Sequence, residues 1–149
     1  MPTVHVVQNS TATPEQVLEA ARDFTGRRAE LWRDVYTEHL TVHEHGETWA
    51  DVSEGNRWPI GLVWERLRYD WSVPDVLKSV VLESNIFKAG STWEIRATPD
   101  DDRGSRVEVI AVRHLRGRGW LLWPFFPLGL AKRDVADYLR KFLTTVEGS

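Results

Sequence analysis

The chain has 149 residues, 42% hydrophobic and 28% charged, so it is sized for one domain spanning 1–149 and too evenly mixed for long disorder, collagen or a coiled coil. Nineteen Lys and Arg against 22 Asp and Glu leave a net charge of −3, whereas a nucleic-acid binder usually carries a basic excess. Cysteine is absent, which removes disulfides, Cys-ligated zinc, iron–sulfur clusters and thiol catalysis.

Thr3 to Asn9 alternates around Val4, His5, Val6 and Val7 and reads as a first strand. The opening residues have neither a basic nor an apolar leader region, so the expectation is a cytoplasmic protein without a signal peptide. Thr13-Pro14-Glu15-Gln16 then has the form of a helix start: Thr13 as N-cap, Pro14 at the first helical position, Gln16 closing a capping box. Val17, Leu18, Ala21 and Phe24 follow at helical spacing, and Gly26 ends the run. A second short helical stretch covers Arg28 to Arg33, with Leu31 and Trp32 on one side.

From Val35 the period becomes two. Val35–Glu44, Thr48–Ser53, Ile60–Trp71, Val76–Phe87, Thr92–Thr98 and Arg106–Leu115 read as strands. Between them stand turn residues: His45-Gly46-Glu47, Glu54-Gly55-Asn56, Val73-Pro74-Asp75, Ala89-Gly90-Ser91 and Pro99 to Gly104. Connections this short cannot hold crossover helices, so consecutive strands are antiparallel neighbours. The last segment returns to a helical period, with Leu128, Ala131, Val135, Leu139, Phe142, Leu143 and Val146 on one stripe and Gly148 at its end. The predicted architecture is α+β: a curved antiparallel sheet of about seven strands wrapped on a long C-terminal helix, with two short helices after the first strand.

This order resembles the START/Bet v 1-like (SRPBCC) superfamily, the polyketide cyclase/dehydrase and lipid-transport type with the helix-grip fold. The residues that carry the resemblance are Thr13-Pro14-Glu15-Gln16-Val17, Asp23-Phe24, Trp64-Glu65 in a central strand, Gly104-Ser105-Arg106-Val107-Glu108 after an acidic turn, and the terminal helix. It covers essentially the whole chain. The resemblance implies a cavity between sheet and C-terminal helix that takes a lipid, a polyketide or an isoprenoid-like molecule. Some members of the superfamily are enzymes and many only bind, so the fold leaves activity open.

Eight Trp, from Trp32 to Trp123, are more large rings than a core of this size needs. They either fill the core or wall an apolar cavity. Expected wall residues are Trp64, Tyr69, Trp71, Trp93, Trp120, Trp123, Phe126 and Leu130. Glu65, Leu67, Tyr69 and Trp71 share a strand face. The family pattern turns the Val107 face inward, and Arg113 then enters the cavity with Glu65 as its partner across the sheet. A charge buried alone is costly, so a pair or a polar ligand is expected there. In a binding protein, the leading expectation, Glu65 and Arg113 anchor a ligand. In an enzyme of the cyclase/dehydratase type, Glu65, Tyr69 and Arg113 are the acid/base candidates. The opposing reading leaves Arg113 in water at the rim.

Other chemistry finds less support. His39, His43 and His45 share a strand face, but no carboxylate is fixed beside them, so a solvated face is expected, with no metal. No nucleophile elbow, phosphate loop or dinucleotide fingerprint is present, and no cofactor is expected. The basic run Arg113 to Arg118 reads as a solvated corner, and nucleic acid is not an expected partner. Gly119 to Ala131 carries no charge, is shorter than the about 20 residues a membrane span needs, and is flanked by Arg116, Arg118, Lys132 and Arg133. It reads either as a lid over the cavity or as a peripheral membrane contact through Trp120–Leu130. A partner-binding module of the same fold, closed inside and apolar outside, is the third functional reading. The chain is expected to act as a monomer or homodimer.

Overall fold

A computed structural model describes residues 3–32, 35–58, 61–100, 104–114 and 128–148. Strand β1 (Thr3–Ser10) leads into helices α1 (Pro14–Ala21) and α2 (Arg28–Leu31). Six strands follow: β2 (Val35–His45), β3 (Trp49–Trp58), β4 (Gly61–Asp70), β5 (Val76–Ser84), β6 (Thr92–Pro99) and β7 (Ser105–Val112). Helix α3 (Leu128–Glu147) closes the chain. All seven strands form one antiparallel sheet in the order β1-β7-β6-β5-β4-β3-β2, so β2 to β7 make a meander and β1 joins its far edge.

Local chemistry accounts for most of these elements. The capping box at α1 forms as the sequence predicts: Gln16 N–H donates to Thr13 Oγ1 (3.2 Å) and Thr13 N–H to Gln16 Oε1 (2.9 Å). Two of the orphan donors of the first turn are thereby satisfied. In β7, Val107, Val109 and Ala111 are buried while Arg106, Glu108 and Ile110 are not, the alternation of a sheet with one covered face. Leu139, Phe142, Leu143 and Val146 of α3 are buried and join the core. The helix lies along β1 and touches α1 and α2. Its stripe therefore covers the β1 end of the sheet, and residues such as Tyr138 reach from it toward the middle strands. No helix among the described residues is long and apolar enough to cross a membrane.

Strand boundaries differ from the sequence reading at β3, β5 and β7, the last of which ends at Val112 rather than Leu115. Glu54-Gly55-Asn56 is not a turn; it lies inside β3, where Glu54 pairs with Glu65 and Gly55 with Trp64, and the ladder runs on to Trp58 opposite Gly61. Gly55 is needed for a close approach, because a Cβ there would come within 2.8 Å of His39 Cβ, beside the break in β2–β3 register. The second difference is β5, which ends at Ser84 rather than Phe87. A bulge after Arg66 shifts the β4–β5 register, and Ser84 Oγ then accepts from the N–H groups of Ile86 and Phe87, turning the chain out of the sheet.

Candidate functional site

Next to the bulge, on the buried face of the sheet, β3 and β4 place two carboxylates directly opposite one another. Glu54 and Glu65 are cross-strand partners, and both are buried. Like charges in that relation repel, and more so away from water. Each carboxylate is met by its own guanidinium from outside the two strands.

Glu54 belongs to Arg28. The short helix α2 drives this arginine into the core, where it is only 3% exposed. Its Nε donates to Glu54 Oε1 (3.0 Å) and its Nη2 lies 2.9 Å from the same oxygen. Nη2 also donates to the Tyr69 hydroxyl (2.9 Å), and Nη1 to the carbonyls of Ala21 (2.9 Å) and Asp23 (3.1 Å). Tyr69 in turn donates to Glu54 Oε1 at 2.6 Å. The guanidinium also lies over the rings of Phe24 (4.7 Å) and Tyr69 (5.3 Å). Every donor of Arg28 is engaged, as a buried cation requires. This cluster ties α1, α2, β3 and β4 together.

Glu65 belongs to Arg113. Strand β7 ends at Val112, one residue earlier than this arginine, yet the side chain keeps the inward phase of Val109 and Ala111. Arg113 Nη1 donates to Glu65 Oε1 at 2.7 Å, and the guanidinium stacks 4.8 Å from the Phe87 ring centroid. The pair is asymmetric: the Glu65 side chain is 6% exposed and that of Arg113 is 26%. Only one nitrogen of Arg113 has a hydrogen-bond partner among the described residues. Burial pushes the Glu65 carboxyl above its ordinary value; Arg113 pulls it back and Glu54 adds to the rise.

Aromatic residues stand beside this pair. Trp93 of β6 is buried, and its indole N–H donates to the Tyr138 hydroxyl of α3 at 2.7 Å. The Tyr138 hydroxyl is held above its usual value, first by burial; Arg113 and Glu65 both act on it, in opposite directions. Trp32 stacks on Phe142 (4.0 Å, 3°) and meets Trp93 and Tyr138 nearly at right angles, each at 5.7 Å. Its indole N–H is buried with no hydrogen-bond partner among the described residues.

The expected site residues divide accordingly. Glu65 and Arg113 pair on the inner side of the sheet, and Trp93 is buried there against Tyr138. Trp64 is not on that side: it is 39% exposed, because it alternates with the buried Val63 and Glu65 and so lies on the outer face of β4. Tyr69 points inward, with its hydroxyl committed to Glu54 and Arg28, and burial raises it well above its usual value. Trp71 is half-buried at the end of the sheet, donating to the Glu47 carbonyl (3.1 Å) and lying 6.4 Å from Phe24, away from Arg113. His39, His43 and His45 are exposed, and His43 bonds to Ser53 (2.7 Å). Trp120, Trp123 and Phe126 lie outside the described residues, as does the side chain of Leu130.

Sequence reasoning missed Arg28, Glu54, Trp32 and Tyr138. Glu54 carried a signal, since it follows Ala50 and Val52 in phase on β3. Tyr138 stands three residues after Val135 and four before Phe142, at the edge of the apolar stripe. Nothing in the sequence distinguishes Arg28 from a surface arginine.

No protein-family model matches the chain, and no curated protein matches it. Solved structures do. A protein of Thermus thermophilus is 19% identical with a TM-score of 0.79, covering 97% of each chain. The Zhui aromatase/cyclase of Streptomyces sp. R1128 is 18% identical at a TM-score of 0.74, over 98% of this chain and 91% of that one. A START superfamily protein of Mycobacterium smegmatis is 8% identical at a TM-score of 0.75, over 99% and 96%. With its seven-stranded antiparallel sheet gripping a C-terminal helix, this chain has the helix-grip fold of START/Bet v 1-like and aromatase/cyclase structures.

Proposed function

We propose that the protein binds a hydrophobic small molecule between the concave face of the sheet and α3, with Glu65 and Arg113 as its polar anchor. One observation carries this reading: a guanidinium on the inner face, lying over the Phe87 ring and tied to a buried carboxylate, has only one nitrogen engaged among the described residues, which leaves donors for a ligand. Apolar walls with a few convergent polar groups are what small-molecule sites present. A lipid, polyketide or isoprenoid-like molecule fits that chemistry. The likeness to START and aromatase/cyclase structures supports it at the level of the fold.

A second reading, a cyclase or dehydratase, is favoured by the environment of Glu65. A carboxyl raised by burial beside an arginine is suited to donate or accept a proton in a ring closure or dehydration. Only turnover separates the two.

The binding reading is tested with N-phenyl-1-naphthylamine, a neutral probe that fluoresces in apolar surroundings. The expected result is saturable enhancement at one probe per chain, unchanged in Trp64→Gln, whose side chain is on the other face. Arg113→Met is expected to weaken an acidic ligand, 1-naphthaleneacetic acid, by about 10- to 100-fold, the worth of a charge-assisted hydrogen bond. No saturable enhancement in the wild type would mean that the rings fill the interior, and the reading would be abandoned.

A further inference from the structure

The two ion pairs form one charge-balanced group. Arg28 and Glu54, Glu65 and Arg113 contribute two positive and two negative charges, held on the buried side of the sheet with the carboxylates opposite each other. Every nitrogen of Arg28 has a partner. Among the described residues only one nitrogen of Arg113 does, and Arg113 is the more accessible of the two cations. A ligand oxygen entering this site therefore meets Arg113. If that oxygen belongs to a carboxylate, the group gains a third negative charge without a third positive one. An excess charge in a desolvated site is costly, and titratable groups neutralise rather than bear it.

The group that can yield is set by geometry. Facing Glu65 are Glu54 from β3, Arg113 from beyond β7, Tyr138 from α3, Tyr69 from its own strand and the neutral Ser84 opposite on β5. Glu54 is held by Arg28 through two contacts and by the Tyr69 hydroxyl. Among the described residues Glu65 is held by one hydrogen bond, to the cation the ligand would engage.

We propose that this site binds lipophilic carboxylic acids with uptake of one proton from solvent, and that Glu65 carries that proton. The ligand enters as its carboxylate and accepts from Arg113. Glu65 passes from carboxylate to carboxylic acid, and no covalent bond other than its new O–H forms or breaks. Net charge inside stays at zero. An alcohol of the same shape brings no charge and takes up no proton. The inference rests on the binding reading above.

The test uses 1-naphthaleneacetic acid and 2-(1-naphthyl)ethanol, each titrated calorimetrically into the full chain in two buffers of different ionisation enthalpy. The expected result is about one proton taken up per acid bound, none per alcohol, and an affinity for the acid that falls about tenfold per pH unit. In Glu65→Gln the uptake and the pH dependence disappear. A protonated-carboxyl infrared band that appears in the wild type on acid binding, and does not shift when the ligand carboxyl is labelled with carbon-13, reports the same event without a variant. Acid binding with no proton uptake overturns the inference and leaves the binding reading intact. Uptake that persists in Glu65→Gln also overturns it, because the ligand then carries the proton itself. If neither compound binds, the binding reading falls and the inference with it.

Discussion

Removing the Arg28 guanidinium is expected to be the most damaging single charge substitution in the fold. Arg28→Met keeps much of the apolar stem but deprives Glu54 of its cation and strips a donor from the carbonyls of Ala21 and Asp23. Arg28 and Glu54 side chains are only 4% and 6% exposed, so water cannot take over. Breaking a buried pair from one side costs about 3–5 kcal/mol, mostly the penalty of the charge left behind. For a chain of 149 residues that is a fall in Tm of roughly 10 °C. The assay is urea unfolding followed by circular dichroism, with calorimetry for Tm. The double variant Arg28→Met/Glu54→Leu removes the stranded charge and is expected to recover about 2 kcal/mol over the single variant. A loss below about 1 kcal/mol in Arg28→Met, or a double variant worse than the single one, would refute the reasoning.

Three further outcomes follow from the same structure. Tyr138→Phe leaves the buried Trp93 N–H without its acceptor and should cost about 1–3 kcal/mol by denaturant unfolding, while Trp93→Phe/Tyr138→Phe loses less than the two single changes together. The folded value of Glu65 is raised above 4.5, so the folded chain binds more protons there than the unfolded one. Its contribution is therefore greatest below that value and is lost as pH rises through the folded one; Glu65→Gln should remove this component from a stability–pH profile. Gly104→Ala would put its Cβ on the Ser10 carbonyl, a backbone atom that cannot step aside, and should yield a chain with markedly lower Tm or no cooperative unfolding.

The fold was legible because its local signals agree with one another. The capping box at Thr13, the alternation of β7 and the stripe of α3 each follow from spacing alone, and each is present. The failures are equally local. Glu54-Gly55-Asn56 has turn chemistry, but Gly55 answers to the approach of His39 rather than to a turn, a constraint that arises only once β2 is in place. Taking Glu54 for a turn residue hid the carboxylate opposite Glu65. The Glu65–Arg113 partnership is one of two readings of Arg113, and it rests on the inward Val107 face that the family resemblance implies, which strand phase then extends to Arg113. Arg28 could not be foreseen, because a four-residue helix has no period to read, and its burial is decided by Glu54 and Tyr69 from strands far along the chain. Trp64 shows the cost of judging a residue by its size: the strand's alternation, which turns Glu65 inward, turns Trp64 out.

The central claim is that the concave side of this sheet holds a small apolar molecule. Its most direct test is native mass spectrometry of protein freshly purified from its own host, followed by denaturing extraction of whatever accompanies it. A stoichiometric apolar adduct is the predicted result, with an acidic group if Glu65 and Arg113 act as proposed. Protein that arrives without an adduct and leaves N-phenyl-1-naphthylamine dark would contradict the account.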